Sequence, residues 1–211
     1  MSGFSLRIGS VDIEISKDPK HIAAAKAMGL WTENARAREQ ACINHLKTIG
    51  LGEEIAWTKA PYKIDELCLL NLASVEEFLN HVGELEGFDA ESEAEEKSRF
   101  KHLPWHMDCI WLPVRLDAPK VPVFEDHGFP VFLGSCQGLL ENLNEIRSLS
   151  SLGLGQAPRG YDLMRSDLKA FYRSNFAIED PTAIIQWVWK GLHDGVTLAL
   201  QHGAPLVGCG C

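Results

Sequence analysis

The sequence lacks a long hydrophobic segment, which limits where the protein is expected to work. No apolar run in the 211 residues approaches the roughly 20 residues that a membrane-spanning helix needs. Residues 1–7 lack the apolar core of a signal peptide. We therefore expect a cytoplasmic protein with no membrane partner.

The sequence also lacks an excess of basic residues. Lysine and arginine number 20 against 29 aspartate and glutamate residues, which gives a net charge of −9. Nucleic-acid binding needs positive charge to neutralise phosphates, so this balance argues against nucleic acid as a partner. It favours a basic protein partner, because opposite charges attract over long range.

Paired cysteines and cofactor motifs are absent as well. The six cysteines include no C-x-x-C pair, and in a reducing compartment we expect them as free thiols. No phosphate-binding loop is present, and the glycines of residues 152–160 lack the strand–helix context of a dinucleotide site, so we predict no cofactor. Cys209 and Cys211 lie in a predicted frayed tail, and whether they are modified or bind metal stays open.

The hydrophobic patterns predict an α+β fold. We expect a helix-rich single domain over residues 1–211, in which an N-terminal β-hairpin and a short β-meander pack against helices. No tandem repeat is visible. If the chain has a domain boundary, the acidic stretch at residues 87–101 is where we place it.

Two segments carry the strand signals. Residues 4–15 alternate around Gly9-Ser10, which predicts a two-residue hairpin that places Leu6 opposite Ile13 and all its apolar side chains on one face. Three short apolar runs follow within residues 109–133, separated by turn signals, and they predict the meander.

Capping signals predict the helices. Asp18-Pro19 opens a predicted helix that ends before Gly50, and a second helical region covers residues 64–70. Ser74-Val-Glu-Glu77 reads as a capping box for a helix that ends at Gly87. Asp180-Pro181 opens a long apolar helix that ends at Gly203.

The stretch at residues 129–149 predicts a strand, a sharp turn and a helix. Ser135 is the predicted N-cap, and it leaves Cys136 in the first helical turn, where the helix dipole favours a thiolate. The pattern Gly-x-Cys-x-Gly is similar to a nucleophile elbow with cysteine in place of serine. One hypothesis is therefore a cysteine-dependent hydrolase or acyltransferase with His193 as the base; the other is a structural corner with a buried thiol.

A second candidate site combines His102, His106 and Cys109. Imidazole and thiolate are ligands that suit zinc, and two histidines four residues apart share one face of a helix. Pro104 lies between them and disturbs such a helix, and no second pair has the spacing of a zinc site. We therefore favour no metal.

An acidic tract gives the leading functional hypothesis. Seven acidic residues lie within residues 84–96, and they predict a solvated helix or loop surface that attracts a cationic partner. With a neighbouring aromatic anchor, the predicted binding residues are Glu91, Glu93, Glu95, Glu96 and Trp105. We expect a non-catalytic acidic protein that sequesters or inhibits a basic protein, most specifically an immunity protein against a toxin.

Overall fold

The computed structural model describes residues 3–8, 44, 47–48, 68–105, 109–119, 132–158, 161 and 180–210. Within these ranges the chain forms nine helices and strands, which confirms the α+β class. In chain order they are β1 Gly3–Ile8, β2 Cys68–Asn71, α1 Leu72–Glu86, α2 Ala90–Lys97, β3 Cys109–Leu112, β4 Phe132–Ser135, α3 Cys136–Leu149, α4 Pro181–His202 and β5 Leu206–Gly210.

The five strands form one mixed sheet with β5 at its centre. The order is β2-β1-β5-β3-β4. β5 pairs antiparallel with β1 on one side, where Leu206 lies opposite Ile8, and with β3 on the other, where Leu206 lies opposite Trp111. The prediction of a frayed tail is therefore wrong for Cys209, which pairs with Ser5 inside the sheet, whereas Cys211 lies outside the described residues.

Both edges of β1 are occupied, which corrects the predicted hairpin. Leu6 lies opposite Cys68 of β2 on one edge and opposite Gly208 of β5 on the other. A strand has only two edges, so the predicted pairing of Leu6 with Ile13 is wrong. The partner residues 11–15 lie outside the described ranges.

The predicted meander is also wrong, because β3 and β4 are direct neighbours and run parallel. Cys109 lies opposite Phe132 and Leu112 opposite Ser135. The other edge of β3 is taken by β5, so no third strand fits between them. A parallel pair needs a crossover of a dozen or more residues, which the connection 113–131 provides.

Helix α4 is central to the core. It contacts α1, α3 and β1, and its fully buried face includes Val188, Leu192 and Val196. Each such side chain contributes roughly 1.5–3 kcal/mol by leaving water. The predicted caps are confirmed: Asp180 accepts from the Thr182 N–H at 3.0 Å, and Gly203 ends the helix with φ of 59°.

The start of α1 differs from the prediction. The helix begins at Leu72, directly after β2, instead of at a Ser74 cap. Residues 68–70, predicted as helix, form β2. Of the helix predicted from Asp18, only residues 44, 47 and 48 are described, and they are helical. The single-domain organisation and the boundary near 87–101 stay predictions.

The junction between β4 and α3 forms as predicted. The Ser135 hydroxyl accepts from the Gly138 N–H at 3.2 Å and caps α3. The imidazole of His102 lies over Gly138, where a Cβ atom would come within 2.2 Å of the ring carbon Cδ2. Glycine is therefore required at this position because the histidine ring occupies the space of a side chain.

Replacing Gly138 by alanine tests this packing. We expect Gly138→Ala to lower the free energy of unfolding by roughly 1–3 kcal/mol, because the ring must move. Gly195→Ala is the matched control: Gly195 is also a buried helical glycine, but an added Cβ would lie 3.4 Å from Leu206 Cδ1, an ordinary contact. Since alanine favours a helix by about 1 kcal/mol over glycine, the control should be neutral or more stable. Equal losses for the two variants in urea denaturation would contradict the argument.

Candidate functional site

Most of the net negative charge of the chain lies in one segment. Residues 72–105 contain nine acidic and three basic residues, a net charge of −6 out of −9 for the whole chain. The segment consists of α1, α2 and the loop that leads to Trp105. The two helices contact each other, so their carboxylates are concentrated in one region of the surface.

A tight turn brings α2 against α1. Gly87 ends α1 with φ of 78°, as predicted, and the N–H groups of Gly87 and Phe88 donate to the Gly83 carbonyl at 2.7 and 3.0 Å. A Cβ atom at Gly83 would lie 2.8 Å from the Phe88 carbonyl oxygen and 3.1 Å from Ala90 Cβ. The close approach of the two helices therefore depends on the missing side chain at Gly83.

Part of the acidic tract holds this segment together. Glu86 is nearly buried, with 9% of its side chain exposed. Its carboxylate accepts from the Ser98 hydroxyl at 2.7 Å and from the Arg99 N–H at 3.2 Å. Glu86 thus ties the end of α1 to the residues after α2.

Two further carboxylates stabilise α2 itself. Asp89 is its N-cap and accepts from the Glu91 N–H at 3.2 Å. Glu93 pairs with Lys97 one turn later at 2.5 Å, and this hydrogen bond lowers the pKa of Glu93. Glu93, one of the predicted binding residues, is therefore engaged within its own helix.

A groove of about 560 Å³ lies between α1 and α2. Acidic, polar and apolar residues line it together: Glu76, Leu79, Asn80, Ala90, Glu91, Ser92, Ala94, Glu96 and Trp105. The carboxylates of Glu76, Glu91 and Glu96 are exposed, and in the described part of the chain no ion pair or hydrogen bond engages them. These three groups are therefore available to a cationic partner.

Two contacts orient the ring of Trp105, which lines the groove. Its indole Nε1 donates to the Phe100 carbonyl at 3.1 Å. Its ring lies 6.2 Å from that of Phe88, tilted by 56°. The ring is partly exposed, so it offers a fixed aromatic surface to a ligand.

The structure brings together three of the five predicted binding residues: Glu91, Glu96 and Trp105. The side chain of Glu95 lies outside what the structure describes. Sequence reasoning missed Glu76, because it assigned this residue to a capping box. The available signal was the spacing of Glu76, Leu79 and Asn80, which places them on one face of a helix.

The Cys136 thiol is in an environment that disfavours a nucleophile. The residue is fully buried, and its Sγ atom donates to the Trp111 carbonyl at 3.2 Å. Burial raises the pKa of the thiol to about 12, although a backbone hydrogen bond from Leu206 partly opposes the shift. His193, the proposed base, stacks on Trp189 at 4.7 Å, with its Nδ1 atom 3.5 Å from Asp194.

His102 joins several elements through hydrogen bonds. Its Nδ1 atom accepts from the Ser135 N–H at 3.0 Å, and the backbone N–H of His102 donates to Asn142 Oδ1 at 3.0 Å. Burial lowers the pKa of His102, opposed by Glu141 and by a backbone hydrogen bond, so the ring is neutral at pH 7. Cys109 is buried in β3, and His106 lies outside the described residues. Among the described side chains, no group of His, Cys, Asp and Glu residues is arranged to hold a metal ion.

We expect Cys136 to react slowly with a thiol reagent at neutral pH, because its thiol is buried and protonated. Mass spectrometry of the Cys136 peptide after timed alkylation measures the rate. Labelling should become fast only when denaturant is added. Complete labelling of the native protein within minutes would contradict the burial and restore the enzyme hypothesis.

The neutral state of His102 predicts an acid-sensitive stability. The pKa of His102 is lower in the folded than in the unfolded chain. The contribution of neutral His102 to the free energy of unfolding is therefore present above pH 6.5 and is lost as the pH falls through the folded pKa. His102→Asn keeps an acceptor for the Ser135 N–H but cannot titrate, so its free energy of unfolding should fall less between pH 7.5 and pH 5 than that of the parent. Urea denaturation at the two pH values measures this difference, and equal falls would exclude His102 as the source.

In the described ranges, no helix has the length and apolar character that crossing a membrane requires.

Comparison with known proteins adds one match. No curated protein and no solved structure matches the chain. Residues 71–208, more than half of the sequence, match the family described as "Putative DNA-mimic protein". This range contains α1, α2 and the whole lining of the acidic groove. The chain therefore belongs to the family of putative DNA-mimic proteins.

Proposed function

We propose that the protein inhibits a DNA-binding protein by presenting the acidic surface of α1 and α2 in place of DNA. The observation that carries the proposal is that Glu76, Glu91 and Glu96 lie along one groove and that no described residue pairs with their carboxylates. The family membership supports the same conclusion, because a DNA mimic is an acidic, non-catalytic binder. The partner is accordingly a basic protein.

The charge spacing of α2 supports mimicry of a phosphate backbone. Five acidic residues lie between Asp89 and Glu96. At 1.5 Å per residue they span about 10 Å of helix axis, or one negative charge per about 2 Å. Double-stranded DNA carries one charge per about 1.7 Å. Lys97 offsets one of the helix charges through Glu93, but the density remains of the order that a DNA-binding surface is built to meet.

The mechanism is competition. Carboxylates on the groove rim attract a basic surface over distances comparable to the Debye length, about 8 Å at physiological salt, and so raise the association rate. Once bound, the protein covers the side chains that would contact phosphates. An immunity protein against a toxin that acts on nucleic acid is a narrower form of the same proposal, since such a toxin has a DNA-binding surface to block.

The first test asks whether the partner can bind DNA and the acidic protein at the same time. The immobilised protein is exposed to lysate at low salt, and retained proteins are eluted with duplex DNA. The purified eluted protein is then titrated with labelled duplex DNA at increasing concentrations of the acidic protein. We expect the DNA to be released. A ternary complex of partner, DNA and acidic protein would contradict mimicry.

Neutralising the groove carboxylates should slow association. We expect Glu91→Gln with Glu96→Gln to reduce the association rate about three- to tenfold at low salt, and to change dissociation less, because rim charges act mainly on encounter. Glu77→Gln with Asp117→Asn is the control: it removes the same charge from exposed residues that do not line the groove. Surface plasmon resonance at two salt concentrations measures the rates. Equal slowing by both variants would show that net charge alone attracts the partner.

A further inference from the structure

The groove has features that charge attraction alone does not require. We propose that it binds an arginine side chain of the partner, with Trp105 as the surface on which the guanidinium stacks. This inference rests on the proposed function for the existence of a basic partner. It goes further in naming the side chain that enters the groove and the residue that selects it.

The lining matches the two chemical parts of arginine. Leu79, which is half-buried, supplies apolar surface beside the nearly buried Ala94. The aliphatic stem of an arginine covers such surface while its charged end remains near polar groups. Glu76 from one helix and Glu91 and Glu96 from the other supply those groups. A carboxylate also accepts two parallel hydrogen bonds from a guanidinium, which an ammonium cannot make.

Trp105 favours arginine over lysine. The planar guanidinium is weakly hydrated and stacks on aromatic faces, and tryptophan is the best such face. The ring is already fixed by its hydrogen bond to Phe100 and its contact with Phe88. Binding therefore needs little ordering of the indole, which preserves affinity.

The charge and size of the groove agree with this occupant. Three carboxylates without a described partner share one concave surface, and their mutual repulsion is relieved by a cation. The volume of about 560 Å³ falls within the range of about 300–1,000 Å³ that is typical of binding pockets. It exceeds what a single side chain fills, so the backbone that carries the arginine has room to enter.

The test compares two peptides of equal charge, Arg-Gly-Arg-Gly-Arg-Gly-Arg and its lysine counterpart, titrated into the protein at low salt with fluorescence anisotropy of a terminal label. We expect the arginine peptide to bind about three- to tenfold more tightly than the lysine peptide. Trp105→Leu should bring this ratio close to one without changing the salt dependence, because it removes the aromatic face but no charge. Trp105→Phe should retain part of the preference.

A second measurement covers the case in which Trp105→Leu does not fold, as judged by circular dichroism. In ¹H–¹⁵N spectra of the parent protein, the arginine peptide should shift the Trp105 indole resonance and the amides of α1 and α2 that line the groove. Shifts confined to other surfaces would overturn the proposal. Equal affinities for the two peptides would also overturn it but leave the acidic-mimic function standing. A protein that binds neither peptide would count against both.

Discussion

The hydrogen bonds of His102 connect the acidic segment to the sheet, and the position of the groove depends on them. The His102 imidazole accepts from the N–H of Ser135, at the junction of β4 and α3. The backbone N–H of His102 donates to Asn142 Oδ1, and its carbonyl accepts from Trp111 Nε1 at 2.7 Å. Trp105 follows three residues later. Because buried polar groups are costly to leave unpaired, this set of bonds defines where the acidic segment ends and where its aromatic residue lies.

The acidic residues divide into two groups with opposite roles. Glu86 and Glu93 have basic neighbours in Arg99 and Lys97, so they lower the energy of the fold. Arg99 also reaches Glu145 on α3 at 3.1 Å. The carboxylates of Glu76, Glu91 and Glu96 form no ion pair among the described residues, and their mutual repulsion raises the energy of the free protein. A protein of marginal stability tolerates this cost when it is recovered on binding.

Local capping signals predicted several helix ends, although the Ser74 capping box is wrong. The Asp180-Pro181 start, the Gly203 end and the Ser135 cap all depend on residues within one turn of each other, and each is confirmed. The sheet could not be predicted in this way, since β1 pairs with β5 across almost the whole chain and no short-range pattern encodes that register. Of the nine residues that line the groove, Glu91, Glu96 and Trp105 stood out in the sequence by charge and aromaticity. Glu76 belongs with them only because α1 and α2 fold back on each other.

The close contact at Gly83 gives an uncharged residue control over the spacing of charges. With no side chain there, the Phe88 carbonyl and Ala90 pack directly against α1. This packing determines how far Glu91 and Glu96 on α2 lie from Glu76 on α1. A single methyl group at Gly83 would push the two helices apart and widen the gap between Glu76 on α1 and the acidic residues of α2. It would change no acidic residue. An electrostatic surface can thus lose its match to a partner through steric change alone, with the net charge of the protein unaltered.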